Sequence, residues 1–146
     1  MTGTSTAKKI KNLEAVARRR HRRGLPAPFG DPRVYALRLA RCEGNPYSDE
    51  WGFNDLEYLR RSAMCALIIA KATDDPEEWA EYEVFQSLFL ELGKVRGSVW
   101  VNEALAEDKA YVESTVPVVQ EEAARRREVR RRQVVLEGDR GEYQEA

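Results

Sequence analysis

The eleven residues Ser62–Ala72, SAMCALIIAKA, constrain this chain more than any other stretch. They carry one charge, Lys71, in a sequence that is 34% charged. Read with the residues before them, they follow a helical period: Leu56, Leu59, Ala63, Leu67 and Ala70 share one face, Met64 and Ile68 a second, Cys65 and Ile69 a third. A helix apolar on nearly every side has to be covered on nearly every side. The expectation is a central helix from about Asp55 to Thr73, capped by Asn54 with Glu57. Segments 32–43, 76–92 and 98–114 cover it, and Met64, Cys65, Ile68 and Ile69 lie in the core.

The flanking segments read as helices too. Asp75 is an N-cap acid followed by Pro76 at the first helical position, with Glu78 as its capping partner. The helix from 76 to 92 then places Trp79, Tyr82, Phe85, Leu88, Phe89 and Leu92 inward and Glu77, Glu81 and Glu91 outward, with Gly93 as its stop. The short turn before it makes a helical hairpin with the central helix. Asp31-Pro32 repeats the same start signal for a helix to about Glu43, ended by Gly44, Asn45 and Pro46. Between them the loop 46–53 carries Tyr47, Trp51 and Phe53, rings expected to plug the core or cover a helix end.

Helix 98–114 follows, and Val99-Trp100-Val101 has no partner strand. A separate last helix is expected from Pro117 to about 137, closed by Gly138 and followed by a polar tail. At the other end, Ala7–Arg23 forms a helix with a narrow stripe of Ile10, Leu13 and Ala17, then a proline-rich connector at 25–30. The chain thus reads as all-α: a compact bundle of five to six helices around a central buried helix, with projecting charged N- and C-terminal helices. The organisation is a basic N-terminal helix and connector at 1–30, a helical core at 31–115, and a charged helix and tail at 116–146.

Charge is segregated along that order. Residues 1–41 hold eleven Lys or Arg against two acids (+9); residues 42–116 hold six against sixteen (−10); residues 117–146 hold seven of each (0), which sums to the net charge of −1. Two basic clusters stand out. Lys8, Lys9, Lys11, Arg18, Arg19, Arg20, Arg22 and Arg23 form the first. Arg125, Arg126 and Arg130, with Arg127, Arg131 and Arg132, form the second, which Glu121, Glu122 and Glu128 dilute. Lys and Arg in such runs neutralise phosphates and release counterions. Neither run sits in a helix-turn-helix, zinc finger or RNA-binding motif, so contact with the backbone rather than reading of bases is expected.

Several function classes lose ground. With His21 as the sole histidine, a histidine-based triad or metal cluster is not expected. Neither a P-loop nor GxGxxG is present. No apolar run reaches the roughly 20 residues of a membrane span, and the N-terminus lacks the apolar segment of a secretory signal. Cys42 and Cys65 read as reduced, mostly buried thiols of an intracellular protein.

One acidic pattern points elsewhere. Glu78 and Glu81 form an ExxE pair, with Glu103, Glu107 and Asp108 further along. This resembles the all-helical MazG-type nucleotide pyrophosphohydrolases, whose ExxE is followed by ExxD; the resemblance implies magnesium held against a polyphosphate. The second half departs from the pattern, because neither Glu103 nor Glu107 has an Asp three residues on.

The expected function is that of a non-enzymatic assembly or adaptor protein without cofactor or metal, a homo-oligomer or part of a larger assembly such as a viral particle or packaging machine. Its basic N-terminal helix is expected to meet an acidic partner, with DNA or RNA the foremost choice. The alternative is a dedicated nucleic-acid-binding regulator.

Overall fold

A computed structural model describes residues 5–25 and 29–145, with side chains of 96, 98 and 137–145 left aside. It is all-helical: α1 Thr6–Arg22, α2 Pro32–Arg41, α3 Phe53–Thr73, α4 Pro76–Arg96 and α5 Ser98–Glu145. The proline connector expected at 25–30 lies partly outside the described residues.

Local chemistry explains most of the boundaries. Ser5 caps α1, its Oγ accepting from the Lys8 amide at 3.2 Å. Asp31 and Asp75 cap α2 and α4 by accepting from the amides two residues on, each followed by a proline whose missing N–H is no loss at that position. The α3 cap differs from expectation. The helix begins at Phe53 behind Gly52, and the Asp55 carboxylate reaches back to accept from the Gly52 amide at 2.7 Å. Gly52 thus stands at the N-cap expected of Asn54, and Asp55 takes the reach-back role expected of Glu57, its carboxylate also held by Arg38 from α2.

α3 and α4 form the expected antiparallel hairpin, and α5 runs back alongside both. Phe53 packs on Trp100 at 4.8 Å between ring centroids, and Trp100 on Phe89 at 5.9 Å. Further along, Arg60 clamps Asp108 through Nε and Nη2 at 2.9–3.1 Å. Gly93 does not stop α4. It is buried inside the helix, where an added Cβ would stand 2.4 Å from Val101 Cγ2. Its missing side chain lets α4 and α5 approach closely, and the helix runs on to Arg96.

α1 and α2 make a second layer over this one. They pack on each other, and α1 also touches α4. Tyr35 of α2 stacks on Tyr58 of α3 at 4.1 Å, and the Tyr58 hydroxyl donates to the Gly30 carbonyl at 3.1 Å. Burial and the nearby Asp55 charge push the Tyr35 phenol up to about 12. Trp51 does plug the core, donating its Nε1–H to the Asn45 carbonyl at 3.0 Å, whereas Tyr47 and Phe53 face solvent.

Three further expectations are corrected. The N-terminal helix does not project: Leu13 and Val16 are completely buried among Leu39, Phe85 and Phe89 in one core cluster. Its narrow stripe suffices because ion pairs supply the rest of the contact. The central helix is not engulfed either. Ile68 is buried, Met64 and Cys65 are half-buried, and Ile69 is exposed, because α2 meets α3 only near its beginning. Finally, no break separates 98–114 from the last helix. α5 is continuous through Pro117 and past Gly138 for 48 residues. Pro117 costs one intrahelical hydrogen bond, to the Glu113 carbonyl, and both residues are exposed. Both cysteines are free and half-buried.

Candidate acidic-partner interface

The two basic clusters are used in different ways. Docking of α1 through Leu13 and Val16 turns its later arginines toward the acidic flank of α4. Lys9 pairs with Glu91 at 2.6 Å, Arg22 with Glu77 at 2.5 Å, and Arg23 with Asp75 at 2.5 Å and Glu77 at 3.2 Å. Arg19 and Arg20 sit 3.8 and 3.5 Å from the two oxygens of Glu81, and Arg23 is 3.7 Å from Glu78. The basic helix is therefore largely neutralised by the protein's own acidic body.

Glu78 and Glu81 are the unexpected members. Both are buried, Glu81 at 1% exposure, although the period of α4 assigns Glu81 to the outside. The apolar pattern of α4 marks the face toward α3 and leaves unmarked a second face covered by arginines. Burial raises both carboxyls above the ordinary glutamate value, against the pull of Arg20 and its neighbours. One oxygen of each, and Nε of Arg19, has no hydrogen bond among the described residues, so these contacts are loose ion pairs rather than clamped ones. A groove of about 570 Å³ runs beside them between α1 and α4, lined by Lys8, Lys9, Arg19, Glu83 and Glu91 among others, with both signs mixed.

What remains of the first cluster is Lys8, Lys11 and Arg18, exposed and without an ion pair among the described residues, with Lys8 on the rim of the groove between α1 and α4. In the second cluster every arginine is exposed. Arg125 and Arg126 pair with Glu122, and Arg131 and Arg132 with Glu128, all within the helix. Arg127 and Arg130 have no such partner among the described residues. Pairs of this kind on a helix surface contribute only about 0.2–0.5 kcal/mol each and leave the arginines available.

The acids of the ExxE pattern are not brought together. Glu78 and Glu81 face α1. Glu107 and Asp108 bind Arg60, which also takes Glu57 at 3.2 Å. Glu103 is exposed. Among the described residues no group of three or more acids, histidines or cysteines is placed to hold a metal ion. None of the described helices is long and apolar enough to cross a membrane.

These features define an all-helical protein with an acidic body, an internally neutralised basic helix and a long arginine-bearing arm. Comparison of the chain with models of protein families, with curated protein sequences and with solved structures finds no match.

Proposed function

We propose that this chain is a non-enzymatic assembly or adaptor protein whose exposed basic surface meets an acidic partner, with nucleic acid as the partner of matching chemistry. The observation that carries the reading is the distribution of unspent positive charge. Among the described residues the arginines outside α5, Arg18 apart, pair with the protein's own acids, whereas α5 beyond residue 116 offers six exposed arginines, four paired only within their own helix and Arg127 and Arg130 without an ion pair, and α1 offers Lys8, Lys11 and Arg18. Arginine presented on a helix suits bidentate contact with phosphate, and with no reading motif the contact is to the backbone.

Because Arg19, Arg20, Arg22 and Arg23 face the acids of α4, the contact role in this reading falls to Lys8, Lys11 and Arg18 and to Arg125, Arg126 and Arg130. Fluorescence anisotropy with duplex DNA and single-stranded RNA over a salt series tests this. Binding should weaken steeply with salt, the slope on DNA falling by about 0.9 for each phosphate contact removed. Changing Arg125, Arg126 and Arg130 to Ser should weaken binding to all sequences alike. Absence of binding at low salt refutes the nucleic-acid reading.

A further inference from the structure

α1 ends in a tight reversal. Gly24 takes the left-handed conformation, at φ 67°, and the Leu25 amide donates to the Arg20 carbonyl at 2.9 Å. α2 packs along α1 in the opposite sense: Gly44, just past its end, touches Thr6, and its start lies beside the last turns of α1. A cleft of about 400 Å³ opens at that meeting. α1 contributes Arg18, Arg20 and His21 to its lining, and the start of α2 contributes Asp31 and Arg33.

The single acid of this lining is already engaged. Asp31 Oδ1 accepts from the Arg33 amide at 3.0 Å, and Oδ2 accepts from Arg33 Nε at 2.9 Å and Nη2 at 2.6 Å. Arg20 stays with Glu81, 3.5 Å away. Three donor groups are left over. The Arg18 guanidinium, the His21 ring and Nη1 of Arg33 have no hydrogen bond or ion pair among the described residues, and all three residues are exposed. The groove between α1 and α4 is different, because Glu83 and Glu91 face its lysines.

A cleft with donors to spare and its one carboxylate spent calls for an acceptor-rich anion. Phosphate fits better than a second carboxylate. It is tetrahedral and presents oxygens in several directions at once, and guanidinium forks take it bidentately. Leu25, 40% exposed, and Pro32 add apolar wall beside the donors, and low-dielectric walls concentrate a cleft's field on its counter-ion. The volume falls within the roughly 300–1,000 Å³ of small-molecule sites.

We infer that the cleft between the end of α1 and the start of α2 binds the phosphate group of a small molecule, with the Arg18 fork, Nη1 of Arg33 and the His21 ring N–H as donors. The cleft shares only Arg18 with the proposed nucleic-acid surface, and its ligand is a small phosphate compound rather than a polymer.

The test is calorimetric titration of the full chain with pyrophosphate, phosphate and acetate at one ionic strength, without nucleic acid. Pyrophosphate should bind at a single site and more tightly than phosphate, and acetate should not bind measurably. Arg18→Gln should weaken pyrophosphate binding by about tenfold or more, as loss of a hydrogen bond to a charged group does. Arg18→Lys should recover part of that loss, because an ammonium supplies the charge without the fork. Changing Lys8 and Lys11 together to Gln, outside the cleft, should leave the affinity unchanged. Amide shifts on adding pyrophosphate should centre on residues 17–25 and 31–33, with helicity and thermal unfolding as folding controls. Wild type that binds no pyrophosphate overturns the inference. An equal loss in the Lys8, Lys11 variant, or shifts centred on the arginines of α5, overturns it too, by showing diffuse attraction in place of a site. A protein that binds duplex DNA but not pyrophosphate refutes this inference and leaves the proposed function standing. One that binds pyrophosphate and no nucleic acid does the reverse.

Discussion

Replacing Gly93 by Ala separates two accounts of that glycine by sign. If Gly93 were only a helix residue with room around it, alanine would favour the helix by about 1 kcal/mol. The structure places the new methyl 2.4 Å from Val101 Cγ2, with Val101 Cβ and Cγ1 at 3.7 and 3.8 Å. Ordinary carbon contacts lie near 3.5–4.0 Å, so more than 1 Å has to be found. Val101 is 5% exposed and β-branched on a helix, where one χ1 rotamer dominates, so it cannot simply turn aside. The separation has to come from α4 and α5 moving apart, which Phe89–Trp100 resists close by. Overpacking of this kind costs typically 1–3 kcal/mol. Taking the upper half of that range and subtracting the helix gain leaves Gly93→Ala destabilising by about 1–2 kcal/mol, or roughly 3–6 °C in Tm for a chain of this size. In a Val101→Ala background the obstacle is gone, and the same substitution should then stabilise by up to about 1 kcal/mol. Urea unfolding of the four proteins in the cycle measures both numbers. A Gly93→Ala protein as stable as wild type, or additive effects in the cycle, would show that α4 and α5 do not meet at this glycine.

Two other outcomes follow from the α1 contact. Leu13→Ala should destabilise by about 2–5 kcal/mol in urea unfolding, because Leu13 is completely buried; an unchanged midpoint would return α1 to the status of a loose arm. The buried pair Glu78 and Glu81 sets a pH dependence. Their carboxyls are raised above the ordinary value of 4.5 mainly by burial, so the folded state favours the protonated form, and their contribution is full below that value and lost as pH rises through the folded value. The Glu78→Gln, Glu81→Gln double variant should therefore gain stability relative to wild type between pH 4 and pH 7, followed by thermal unfolding in matched buffers. A relative loss over that window would mean that Arg19, Arg20 and Arg23 outweigh burial.

The particular residues that the sequence placed correctly share a physical basis. Asp75-Pro76 and Asp31-Pro32 act within one turn, and capping by a carboxylate next to a residue lacking N–H needs no tertiary partner. The inward faces of α3 and α4 repeat apolar side chains at the helical period, so Leu56, Leu59, Phe85 and Phe89 were legible as core. Gly93 and Pro117 misled because their local meaning was overruled: Gly93, read as a stop, lies inside α4 against Val101, and Pro117, read as the start of a new helix, lies at an exposed point of a continuous one.

The candidate site was legible as composition and not as geometry. Runs such as RRRHRR and RRREVRRR announce charge without saying what faces it. Hydrophobic periodicity is blind to a helix face buried by ion pairs, and so Glu81 read as exposed while Arg19 and Arg20 read as free. The sequence alone determined that this protein is helical, that α3 and α4 pair, and that its charge is segregated, because those follow from side-chain period and capping within single elements. Only the tertiary structure decided which charges are spent. α1 folds onto α4 and pairs most of the first cluster through contacts 50 and more residues apart in the chain, whereas α5 runs past the end of α3 and leaves the arginines of the second cluster exposed.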